Sequence, residues 1–266
     1  MSQFIDKLNR ISQAQPRPLG FRLTEAAPAK ARIQLVASIA QHNIDQLTEA
    51  MAGADAGLVH INKAGLSAKA LATVAQAVPE TPCGGWLPRE SGPADVKQVL
   101  EAEFDFIVFQ ATSTPLSIFE NETTSKILEV DASLNEGLLR AVNELSVDAV
   151  LLSRDENRED SYLTTQQLVI FHRFASVLDK PLLAQIPAEV TSGELVTLWK
   201  AGVEGIVVEV STKQGKDKLN ELRQIIDETT FPSRRRRKLE PLLPHIATPP
   251  PQEEEMEPEE EPDEEP

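Results

Sequence analysis

Four side chains in the 266-residue sequence could share chemistry: His60, Glu129, Asp131 and Glu209. Glu129 and Asp131 are two residues apart, so on a β-strand both point to one face, about 7 Å apart along it. Carboxylates so placed, with an imidazole nearby, suit a divalent cation such as Mg2+ or Mn2+. Glu129 and Asp131 are therefore the expected metal-binding or substrate-positioning pair. An imidazole titrates near neutrality, and close carboxylates favour protonation of one of them. His60 and Glu209 are accordingly the expected acid–base groups. This set fits a lyase or aldolase-type reaction on a small organic acid. A Schiff-base mechanism is disfavoured, because no lysine falls on the corresponding strand faces; Lys63 and Lys213 lie just past strand ends.

Positioning such groups requires a scaffold, and the hydrophobic pattern supplies one. Short apolar runs at 32–39, 57–61, 83–87, 104–110, 126–131, 148–153, 181–186 and 205–210 alternate with helix-length amphipathic stretches. Strand followed by helix eight times over is the pattern of a closed (β/α)8 TIM barrel. An open doubly wound sheet would carry a Gly-rich first turn, and Ser38-Ile-Ala-Gln-His42 has none. The segment 112–125, rich in Thr and interrupted by Pro115, is the poorest helix. Asp55, Asp105, Asp148 and Glu204 each open an even-numbered strand, which suggests a repeat of two strand–helix units.

Parity along each strand divides the faces. One set, including Val59, Ile61, Ile107, Phe109, Val150, Leu152, Ile206 and Val208, is apolar and predicts packing against the helices. The other set becomes polar toward the C-terminal strand ends, where active sites of this architecture lie. It places Ser38, His60, Asn62, Trp86, Gln110, Glu129, Asp131, Ser153, Gln185, Glu209 and Ser211 around one mouth. Ser38, Asn62, Trp86, Gln110, Ser153, Gln185 and Ser211 are the expected substrate contacts. Ala201-Gly-Val-Glu-Gly-Ile-Val-Val208 is similar to the last strand of many phosphate-binding barrels, but the loops after strands seven and eight lack the early glycines a phosphate needs. The charged run Arg154–Asp160 reads as a solvated loop.

Composition narrows the classes. A net charge of −16 argues against nucleic acid as a partner. No apolar run approaches the ~20 residues of a membrane helix, and MSQFIDKLNR lacks a secretory pattern. One cysteine, Cys83, excludes an intramolecular disulfide and a Cys-cluster metal site. A cytoplasmic protein with a small-molecule ligand is expected. Residues 1–27 form an N-terminal segment with a short helix through Phe4, Ile5 and Leu8, residues 28–230 the barrel, and residues 231–266 a disordered tail. That tail runs from basic Arg234–Lys238 to Glu- and Pro-rich acid, a composition that cannot build a core. It supports a rival expectation: a catalytically inactive barrel that serves as a binding or scaffold module and recruits a basic protein through its tail.

Overall fold

The computed structural model describes residues 2–12, 32–40, 51, 53–62, 71–73, 75, 81–154, 162–210 and 213–232. Eight parallel strands close a barrel in sequence order: β1 (Gln34–Ala40), β2 (Ala56–His60), β3 (Cys83–Trp86), β4 (Phe106–Gln110), β5 (Ser125–Val130), β6 (Ala149–Leu152), β7 (Leu182–Gln185) and β8 (Val203–Glu209). Closure is made by β1 against β8, with Val36 opposite Val207 and Ser38 opposite Glu209. The described helices are α1 (Gln3–Ser12), α2 (Pro93–Leu100), α3 (Glu136–Asn143), α4 (Thr165–Val177), α5 (Ser192–Ala201) and α6 (Lys213–Glu228). No helix among the described residues is long and apolar enough to cross a membrane.

Two apolar clusters follow the parity. Leu35, Val59, Ile107, Phe109, Leu128, Val150, Leu152, Ile206 and Val208 pack outward with helix residues such as Phe174, Leu195 and Leu219. Val36, Leu58, Val108, Ile127, Leu151, Leu183 and Val207 fill the bore. Gly84 also faces the bore, because a Cβ there would lie 2.2 Å from the Phe106 ring. A glycine at this point lets the large ring occupy the floor.

Phe4, Ile5 and Leu8 of α1 join the bore cluster, so this helix stops the floor of the barrel. The Phe4 and Phe106 ring centroids are 5.0 Å apart. The start of α1 is held by a residue a hundred positions away. The Asp105 carboxylate accepts the Ser2 hydroxyl at 2.6 Å and the amides of Gln3 and Phe4 at 2.9 and 3.1 Å. A helix N-terminus favours such a negative acceptor.

The acidic repeat has a structural counterpart. The amides of Asp55, Asp105 and Asp148 donate to the carbonyls of Leu35, Cys83 and Lys126, each on the preceding strand's side. The carboxylates of Asp55 and Asp148 accept the amides of Leu35 and Lys126 in return. Glu204 departs from the pattern, because it is buried within β8 itself.

Helix ends follow from local side chains. Thr191 caps α5, and its capping box closes through Glu194. Gly202 ends that helix at φ 106°, a left-handed conformation suited to glycine. The segment 112–125 contributes only a 3-10 helix, Leu116–Glu120. The tail beyond Pro232 lies outside the described residues.

Candidate active site at the barrel mouth

The C-terminal strand ends bring one continuous polar network into the mouth. Ser38 on β1 is fully buried, and its Oγ lies 2.7 Å from His60 Nε2 on β2. The His60 ring stacks on Trp86 at the end of β3, with centroids 4.4 Å apart and planes 24° from parallel. Trp86 Nε1 donates to Glu129 Oε2 on β5 at 2.7 Å, and Gln110 Nε2 of β4 donates to Glu129 Oε1 at 2.9 Å. Five strands are thereby tied together through side chains alone.

Local sequence explains the placement. Gly84-Gly85 precede Trp86, so the indole rises above a bore layer that has no side chain under it on its own strand. A buried indole N–H needs an acceptor, and the inward carboxylate of Glu129 provides it. Glu129 is 5% exposed and would be costly to bury without donors. Both of its oxygens have one.

Glu129 and Asp131 sit in different surroundings. Strand β5 ends at Val130, and Asp131 is the residue that follows. It is exposed, and its Oδ1 accepts the Ser133 amide at 2.7 Å in a local turn. Glu129 points into the network described above. Among the described residues, no group of three or more His, Cys, Asp or Glu side chains is placed to hold a metal ion.

The other expected site residues fall in three groups. Glu209 is exposed on the rim at the end of β8, beside Ser38 in register, and His60 is half-buried below it. Gln185 is half-buried, and its Oε1 accepts the Arg154 amide at 3.0 Å. Ser153 turns its hydroxyl to the Val130 carbonyl at 3.3 Å, so it serves the strand ends. Asn62 is exposed beyond β2. Ser211 lies outside the described residues. Sequence reasoning missed that Trp86 and Gln110 both donate to Glu129 and that Ser38 pairs with His60. The available signal was an inward Trp and an inward Glu at equivalent heights on strands three and five.

Solved structures share this architecture. A mutant tryptophan synthase α-subunit from the hyperthermophile Pyrococcus furiosus superposes with a TM-score of 0.57 at 14% identity, over 74% of this chain and 98% of that one. Thiamine phosphate pyrophosphorylase from Pyrococcus furiosus gives 0.56 at 16% identity, over 74% and 96%. The likeness establishes the TIM-barrel fold. These distant neighbours are enzymes, and at this identity their reactions are theirs alone. No protein-family model matches the chain, and no curated protein matches it in sequence.

Proposed function

We propose that the barrel is a cytosolic enzyme of lyase type that acts on a small organic acid, with His60 as its central acid–base group. The observation that carries this reading is the 2.7 Å contact from Ser38 Oγ to His60 Nε2 beneath an imidazole stacked on Trp86. An imidazole fixed by a hydrogen bond and by a ring on its face is held in one orientation, which is what proton transfer requires. Ser38 is buried and acts as an orienting partner rather than a nucleophile. Glu209, on the rim, is the second acid–base group. Glu129 holds Trp86 and Gln110 in place instead of binding a cation.

The test is a substrate screen on the wild-type chain, scored by turnover and by ligand-induced thermal shift, with H60Q and E209Q alongside. Loss of turnover in both variants is expected, with the melting temperature unchanged in E209Q and H60Q still folded. Unaltered turnover in H60Q overturns the assignment.

A second reading is favoured by the closure of the network. Because Ser38 is bonded to His60, and Trp86 and Gln110 to Glu129, the inward groups have partners within the barrel and the exposed rim is left for contact with a partner. A barrel without catalysis, serving as a binding module for a basic partner of the acidic tail, fits that economy. Deleting residues 233–266 separates the two readings: an enzyme keeps its turnover, whereas a tail-dependent module loses its partner.

A further inference from the structure

In this architecture a helix follows each strand and joins an outer ring, but the connection between β4 and β5 departs from that rule. Residues 111–124 form no α-helix, only the 3-10 helix Leu116–Glu120. Its Ile118 is buried, whereas its Leu116 is 82% exposed. The ring therefore has a gap beside α3, the next helix along the chain.

The contacts of α3 show which of its flanks borders the gap. Successive helical residues turn by about 100°. Leu139 and Val142 are buried, and Asn143 Nδ2 donates to the Val177 carbonyl of α4 at 2.9 Å. Leu138 and Ala141 fall on the flank away from α4, with Gly137 one turn before Ala141, and all three are exposed. The Leu145 amide donates to the Val142 carbonyl at 3.2 Å, so the closing turn brings Leu145 to the same flank. Leu138 is 53% exposed and Leu145 40%.

Two further observations concern this strip. A glycine weakens a helix, and no contact among the described residues requires one at Gly137. Its φ is not left-handed, and a Cβ there would meet Asn135 Oδ1 at an ordinary 3.4 Å. Beside the apolar residues lie Arg140 and Glu144, both exposed. Arg140 is bonded to Glu136 at 2.6 Å, yet its side chain stays 67% exposed.

We propose that this flank of α3 is a self-association surface, on which α3 of a second copy packs antiparallel about a two-fold axis beside Ala141. Leu138 of one copy then meets Leu145 of the other, and Gly137 leaves room for that leucine. Ala141 lets the two backbones approach. Arg140 stands opposite Glu144 of the second copy, and symmetry makes that pair twice. Apolar residues and charges are both balanced about one point of the helix, which is what a second copy of the same chain can match. The strip belongs to the outer wall and shares no residue with the polar network of the mouth.

Sedimentation of the full chain from about 1 to about 300 μM, at fixed ionic strength, tests the proposal. A single helix face is a small interface, so a reversible monomer–dimer equilibrium in that range is expected. A141E, which sets a charge at the crossing point, should weaken it about ten-fold or more. R140E and E144R each oppose like charges and should weaken it about three-fold or more. The double variant R140E/E144R exchanges the signs and should associate nearly as well as wild type. Urea midpoints at 1 μM, where the monomer dominates, should match wild type because all these positions are exposed.

A chain that stays monomeric throughout overturns the proposal. So does a dimer that A141E leaves intact, since the contact then lies elsewhere. A double variant no better than its two single variants removes the antiparallel register and the proposal with it. Should A141E fail to fold, the charge-exchange series decides the matter alone.

Discussion

Trp86 uses two parts of one side chain for two purposes, its face for His60 and its nitrogen for Glu129. W86F keeps a ring for the stack and deletes the donor, so Glu129 loses one of its two N–H partners inside the barrel. We expect a destabilisation of about 1–3 kcal/mol in urea unfolding; an unchanged midpoint would mean that water replaces the indole at no cost. Cys83 gives a second prediction at this scale. Burial, with a smaller contribution from the nearby Asp105 carboxylate, pushes its thiol up to about 12. As the only cysteine, it should leave native protein unreactive toward a thiol reagent at pH 8 and react once urea unfolds the chain. Rapid labelling of the folded protein would contradict that placement.

At the scale of elements, α1 depends on Asp105 more than on its own sequence. Its start is satisfied by a carboxylate from the approach to β4, and its apolar face is buried in the floor. D105A removes the acceptor for three donors, and we expect a loss of about 1–2 kcal/mol, the usual worth of a helix cap. Helix α6 is tied to the barrel by charge. Asp55 and Asp227 meet Arg223, and both also meet Arg32 at the approach to β1. Partial burial of Asp227 works to raise its pKa, but the hydrogen bond and charge of Arg223, with Arg32, outweigh it and hold the carboxyl below its usual value. A carboxyl depressed in the folded state contributes stability above its unfolded value and loses it as pH falls through the folded one. D227N should therefore lower stability at neutral pH and converge with wild type in acid. The side chain is 48% exposed, so solvent screening limits the difference to less than about 1 kcal/mol. Urea melts at pH 7 and below the ordinary carboxylate range check the sign.

For the molecule as a whole, the closed sheet makes the bore a shared resource among strands. Gly84 shows the constraint: any Cβ there enters the space of Phe106, which itself packs on Phe4. G84A should cost about 1–3 kcal/mol through overpacking. Combining it with F106L should return part of that loss, a coupling that a double-mutant cycle measures. Strict additivity of the two changes would show that the floor does not pack as a unit.

The alternation of apolar runs and amphipathic stretches was enough to specify the eight strands of a closed barrel, and side-chain parity was enough to separate helix-facing from bore-facing residues. Both follow from local geometry, since a strand turns alternate side chains to opposite faces wherever it runs. Strand ends were not legible at the resolution the site needs. Asp131 has the same parity as Glu129, yet one residue past the end of β5 it belongs to a turn. Nor could sequence show that Trp86 and Glu129 meet: the two residues are 43 positions apart, and their hydrogen bond exists only because β3, β4 and β5 stand side by side. Periodicity determined which residues face inward; the register of neighbouring strands decided which inward residues neutralise one another, and so which remain available for chemistry.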